Sequence, residues 1–150
     1  MPPPSTTLLG DWYANILFAR PEQLVLCVSE RTLLPVVVTA RNARALGVRL
    51  AQSLREVLLR LGVSSLLVDG EQSKMNPVAF GPTRNRRVLG TINEFMFQLS
   101  WYFHDHPAAL FADASLSLAR TPCKPINHAS PDRLTVALFA DVGHLNALAQ

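Results

Sequence analysis

Three short apolar runs, each bounded by polar or proline-containing breaks, open the chain. Trp12–Ala19 is closed by Arg20-Pro21-Glu22, Gln23–Ser29 by Glu30-Arg31-Thr32, and Leu33–Ala40 follows. All three are rich in β-branched and aromatic residues, and the connections are short. That pattern predicts strands paired as antiparallel hairpins. By alternation, Trp12, Ala14, Ile16 and Phe18 share one face, and Tyr13, Asn15, Leu17 and Ala19 the other. Leu24, Leu26 and Val28 oppose Gln23, Val25, Cys27 and Ser29. Both faces are largely apolar, which predicts a central meander covered on both sides. Asn15 is the polar exception. It is read either as an amide bonded to backbone or as a ligand-facing group.

The pattern then becomes helical. Ala43, Leu46, Leu50, Leu54, Val57, Leu58 and Leu61 recur at helical spacing across 41–61, and Gly62 follows as a C-terminal stop. The arginines at 41, 44, 49, 55 and 60 lie off that stripe, as on a solvated helix back. Residues 63–76 read as irregular or a short helix. Pro77–Phe80 reads as a short strand, and Thr83–Leu89 as its returning partner, with arginines on both faces in the manner of a sheet edge. A second helix is expected over 91–105. Thr91 and Glu94 fit a capping box, and Ile92, Phe95, Met96, Leu99 and Phe103 form the stripe. Phe97 and Trp101 lie off it, so this helix is either sandwiched in the fold or part of an interface. A short helix over 108–120 and a last one from Ser130-Pro131 complete the pattern. The expected fold is α+β. It has a mainly antiparallel sheet of about five strands, two main helices packed on it and a short C-terminal helix. Residues 1–150 read as a single domain, with an extended arm over 1–8 and a frayed tail over 143–150.

Composition narrows the class. The 150 residues are 49% hydrophobic and 17% charged, a globular balance. No apolar run is long enough to span a bilayer, so no membrane role is expected. The N-terminus lacks signal-peptide features, which sets a cytoplasmic expectation. Cys27 and Cys123 form no metal or disulfide framework. The net charge is +3, and Lys74 and Lys124 are the only lysines among fourteen basic residues. That permits an anionic partner without requiring one.

Chemistry-bearing motifs are sparse. Nucleophile-elbow, phosphate-loop, dinucleotide and zinc-protease patterns are absent from the sequence, and no cofactor is expected. His104 and His106 stand two apart, so on a helix they point in different directions. They converge on a metal only if the helix unwinds before Pro107. Cys123 and His128 have no orienting third group. The best candidate is Arg84-Asn85-Arg86-Arg87, a cluster just ahead of the expected helix start, suited to phosphate, a nucleotide or nucleic-acid backbone.

Two segments carry a family resemblance. Leu9-Gly10-Asp11-Trp12-Tyr13-Ala14-Asn15, followed by Leu24–Thr32, resembles the N-terminal strand signature of an uncharacterised bacterial domain-of-unknown-function family. Asn85-Arg86-Arg87-Val88-Leu89-Gly90-Thr91-Ile92-Asn93-Glu94 resembles its second signature, a segment entering a helix. Arg120-Thr121-Pro122-Cys123 is similar to a third, looser one. The resemblance covers most of the chain. It implies a small cytosolic α+β protein, with a link to mobile elements, and no activity. It also implies that Trp12, Asn15, Asn85, Arg86 and Asn93 act together, either as an open site or as a polar clasp between sheet and helix.

Two functions follow from the sequence. One is a non-enzymatic binding or regulatory module, with Asn15, Arg84, Asn85, Arg86, Arg87 and Asn93 as binding residues. It would meet a protein or anionic partner, or nucleic acid, or a second copy through helix 91–105. The other is a small phosphoester hydrolase or nuclease that uses Arg84, Arg86 and Arg87 on phosphate and His104 or His106 as base or ligand.

Overall fold

Alternation along the first forty residues produces a meander whose two faces feed two separate apolar clusters. In the computed structural model, which describes residues 6–19, 22–75 and 85–148, the strands are β1 (Trp12–Ala19), β2 (Glu22–Ser29) and β3 (Pro35–Thr39). They pair antiparallel in the order β1-β2-β3, with Trp12 opposite Ser29 and Leu24 opposite Thr39. The loop from β2 to β3 closes tightly. Leu33 takes a left-handed conformation (φ 58), and its N–H donates to Ser29 O. The Ser29 hydroxyl accepts from Leu34 N at 2.9 Å. Leu33 is fully buried, so packing outweighs the cost of that backbone conformation.

Val25, Cys27, Val36 and Val38 face one cluster, together with Leu54, Val57 and Leu58 of α1 (Leu46–Arg60). Val68 of α2 (Ser65–Lys74) and Phe139 of α5 (Pro131–Leu148) complete it. Leu24, Leu26, Val28 and Val37 face the other, with Val88, Ile92, Phe95 and Leu99 of α3 (Arg86–Asp105) and Leu118 of α4 (Phe111–Ala119). The expected burial on both sides is therefore met by β2 and β3. It fails at β1, where Ala14, Asn15 and Ile16 are exposed and, among the described residues, no strand pairs with the outer side.

Five α-helices and three strands stand among the described residues, where the sequence suggested about five strands and two main helices. The strand expected at Pro77–Phe80 lies outside the described residues. The strand expected through Leu89 is corrected: Arg86–Leu89 is the first turn of α3. Asn85 caps it, its side chain accepting from Arg87 N at 3.0 Å. The buried stripe reaches back from Ile92 to Val88, so the helix gains an extra anchored turn. Thr91 consequently caps nothing. It is buried inside the helix, and its hydroxyl donates to Arg87 O at 3.2 Å.

Helix ends follow sequence signals elsewhere. Gly62 (φ +94) ends α1, and Val63 N reaches back to Leu58 O. Pro131 begins α5 as expected, but α5 continues through Gly143 to Leu148 where a frayed tail was expected. At Gly143 a Cβ would lie 3.3 Å from a Leu67 methyl, so the glycine allows close contact with α2. Residues 6–8, expected to belong to an extended arm, are docked. Thr7 and Leu9 are buried, and the Glu71 carboxylate accepts Leu8 N at 2.8 Å and Leu9 N at 3.1 Å.

Candidate functional site

One side of α3 presents a ridge to solvent along its length. Arg86, Gly90, Asn93, Phe97, Trp101 and His104 recur at intervals of three and four, opposite the buried stripe, and all are exposed. Phe97 is 68% exposed and Trp101 55%, while Phe95 and Leu99 on the inner face are buried. Trp101 and His104 meet edge-on with centroids 5.7 Å apart. Of the two arrangements anticipated for this helix, the aromatic pair off the stripe is therefore surface, not sandwich.

The residues singled out from sequence come from β1 and from the N-terminal half of α3. Arg84 lies outside the described residues. Asn85 is committed to capping α3. Arg86 and Asn93 lie on the outward ridge. Arg87 points along another side, and its guanidinium donates to Pro125 O at 2.7 Å, fastening α3 to the 121–129 loop. Asn15 is on β1, with its amide oxygen accepting from Ile16 N at 2.9 Å. Among the described residues no hydrogen bond joins Asn15 to Asn85, Arg86 or Asn93. Asn15 and Asn93 are both exposed. Neither takes the interior position that a polar clasp needs. Hydrogen bonds that tie α3 to the neighbouring loop are Arg87 to Pro125 O and the Thr121 hydroxyl to Gln98 Oε1 at 3.0 Å.

The histidine pair diverges. His104 contacts Trp101, whereas His106 stacks on Tyr102 at 4.7 Å and its Nδ1 lies 3.2 Å from Tyr102 O. Helix α3 holds its geometry to Asp105, so the two imidazoles take opposite sides. Among the described residues no group of three His, Cys, Asp or Glu side chains is arranged to hold a metal ion. Cys123 is buried, and burial, followed by the Glu94 charge, pushes its thiol up to about 11. Its Sγ donates to Thr121 O at 3.3 Å. A thiol so held is a poor nucleophile at neutral pH.

The arginines of α1 are engaged locally. Arg55 pairs with Asp69 and Arg60 with Asp113, while Arg49 donates to Thr39 O at 3.3 Å. They tie α1 to its neighbours rather than forming a patch for nucleic acid.

Two clefts stand out among the described residues. One, of about 390 Å³, lies between α1 and the start of α4, lined by Ser53, Glu56, Leu110 and Ser115. Ser115 is already used there: its Oγ accepts from Val37 N at 2.9 Å and donates to Phe111 O at 2.8 Å. The other, of about 590 Å³, lies between the end of α4 and the first turn of α5. Arg120, His128, Ser130, Asp132 and Arg133 line it. The sequence pattern touched this second cleft at Arg120 and Pro122, in the third family-like segment, and at His128, without joining them. Its residues are assembled by the 121–129 loop, in which Cys123 bridges Ala129 and both Asn127 and His128 take positive φ.

These features define an α+β domain: a three-stranded antiparallel sheet with helices on both faces, an exposed aromatic ridge and a basic cleft. The chain belongs to the family described as Domain of unknown function (DUF6933), which matches residues 1–134. The uncharacterised family that the sequence resembled is in keeping with this match. No curated protein and no solved structure matches the chain. No helix among the described residues is long and apolar enough to cross a membrane.

Proposed function

We propose that the protein is a binding module that meets a protein partner through the outer ridge of α3. The observation that carries this reading is the exposure of Phe97 and Trp101 one turn apart on a helix whose opposite face is anchored in the core. Two large aromatics left in water at adjacent positions are the composition of an interface centre, where aromatic side chains supply much of the binding energy. Arg86 and Asn93 extend the ridge toward the N-terminus of α3, and they suit a partner that brings an acidic or amide group beside its apolar surface. The anionic contact expected from the sequence is assigned to Arg86 on this ridge.

The test uses the intact chain and a double variant, Phe97→Asp with Trp101→Ala. Both side chains are exposed, so the variant keeps the fold. Sedimentation velocity over a wide concentration range reads self-association, and affinity capture from the source cells reads a different partner. The double variant is expected to lose whichever association the intact chain shows. Association that survives the double substitution places the contact surface elsewhere and refutes the assignment.

A further inference from the structure

The cleft between α4 and α5 is independent of the α3 ridge, and we infer that it is a binding site for the phosphoryl group of a small phosphorylated molecule. Arg120 enters from the end of α4, Arg133 from the first turn of α5, and His128 from the loop between them. Among the described residues, none of these three side chains makes a hydrogen bond or ion pair, and all three are exposed. This contrasts with Arg55, Arg60 and Arg87, each of which has a partner.

The acid in the cleft, Asp132, is already occupied. Its Oδ1 takes the Ser130 hydroxyl, and Arg133 N donates to the same atom at 2.7 Å. Two guanidiniums therefore stand against one hydrogen-bonded carboxylate. His128 is held at φ 63, its N–H bonded to Cys123 O at 2.9 Å, and the residue before it is also left-handed. Glycine would take that conformation at less cost, so His128 stands there against the backbone preference.

Two planar guanidinium forks and an imidazole around one concavity match the several oxygens of a phosphate better than the two of a carboxylate. The cleft is open yet concave. It suits a terminal phosphoryl group with a small body attached rather than a nucleic-acid duplex.

The experiment is a titration of the isotope-labelled full chain, followed by amide chemical shifts at constant ionic strength. Inorganic phosphate, adenosine monophosphate and a single-stranded oligonucleotide are the three ligands, and sodium chloride is the control. Saturable shifts confined to residues 120–133 are expected with phosphate and with the monophosphate. Arg120→Ala and Arg133→Ala are each expected to weaken binding about tenfold, the loss of one bidentate contact. His128→Gly is expected to raise the thermal midpoint while weakening phosphate binding. Because these side chains are exposed, dispersed spectra of the variants establish that the fold is intact. Shifts reproduced by chloride overturn the proposal, as does affinity unchanged in both arginine variants. Binding of the oligonucleotide without binding of phosphate or the monophosphate overturns it equally.

Discussion

Replacing Glu71 by Ala should unfasten the N-terminal segment at a measurable cost. Glu71 is a carboxylate on α2 that is only 2% exposed, and its two oxygens accept the amides of Leu8 and Leu9. Arg31 supports the same segment, donating to Thr7 O and Leu8 O at 3.2 Å each. Hydrogen bonds to a charged group contribute about 1.5–3 kcal/mol each, and a buried amide left without an acceptor costs about 1–3 kcal/mol. Against this, alanine removes the expense of holding a carboxylate away from water. The balance is a destabilisation of about 3 kcal/mol. For a chain of this size that lowers the thermal midpoint by about 6–12 °C. Glu71→Gln keeps one acceptor but sets an amide N–H₂ against the second backbone N–H, so it should recover only part of the loss. Urea denaturation gives the global figure. Hydrogen exchange gives the local one: protection at Leu8 and Leu9 should fall by about a hundredfold, since each tenfold corresponds to about 1.4 kcal/mol. A loss below about 1 kcal/mol with unchanged protection at both amides would show that Glu71 does not hold this segment.

Ser115→Ala removes the acceptor of Val37 N at the outer edge of β3. It should cost about 1–3 kcal/mol in urea denaturation, with faster exchange at the Val37 amide. Equal stability of the variant would show that this edge needs no seal. Alkaline pH should also destabilise the fold. Burial pushes the Cys27 thiol from an ordinary 9.0 up to about 12, and Cys123 shifts the same way. The folded chain keeps these protons where the unfolded chain has lost them. The contribution is therefore complete below about pH 9 and is lost as pH rises through the folded values. The slope is at most about 1.4 kcal/mol per pH unit for Cys27. A Cys27→Ala variant should show a shallower decline between pH 9 and 11, and an identical decline would contradict the assignment.

The meander was legible because its three runs carry their own boundaries, and alternation assigned Leu24, Leu26 and Val28 to one core and Val25 and Cys27 to the other. Helix α1 was legible for the same reason, with a stripe ending at Gly62. The start of α3 was not, since Gly90-Thr91-x-x-Glu94 imitates a helix N-terminus inside the real one, which is capped by Asn85. The spacing from Val88 to Ile92, with Asn85 as a capping residue, was the signal for the true start. Exposure of Asn15 was beyond reach, because alternation gives the face of a strand and not its place in the sheet. The cleft at Arg120, His128 and Arg133 was equally beyond reach. It depends on two consecutive left-handed residues, Asn127 and His128, neither of which is glycine.

The place of β1 in the sheet also explains what Asn15 does. Glu30 N donates to Asp11 O, so with the observed register the odd-numbered residues of β1 bond to β2 and the even-numbered ones turn their backbone outward. On β3 the equivalent outward positions begin at Pro35, which has no N–H, and continue at Val37, whose N–H is taken by Ser115. That edge is closed by sequence and by α4. On β1 the outward positions are Trp12, Ala14 and Ile16, and the Ile16 amide is the one that Asn15 covers with its own side chain. An exposed strand with free donors is a template for pairing with other chains, and a polar side chain folded back onto one of them interrupts the template. Asn15 therefore acts as a local guard of the open edge. The two surfaces thus differ: the sheet edge is guarded at Ile16, whereas Phe97 and Trp101 on α3 are left exposed.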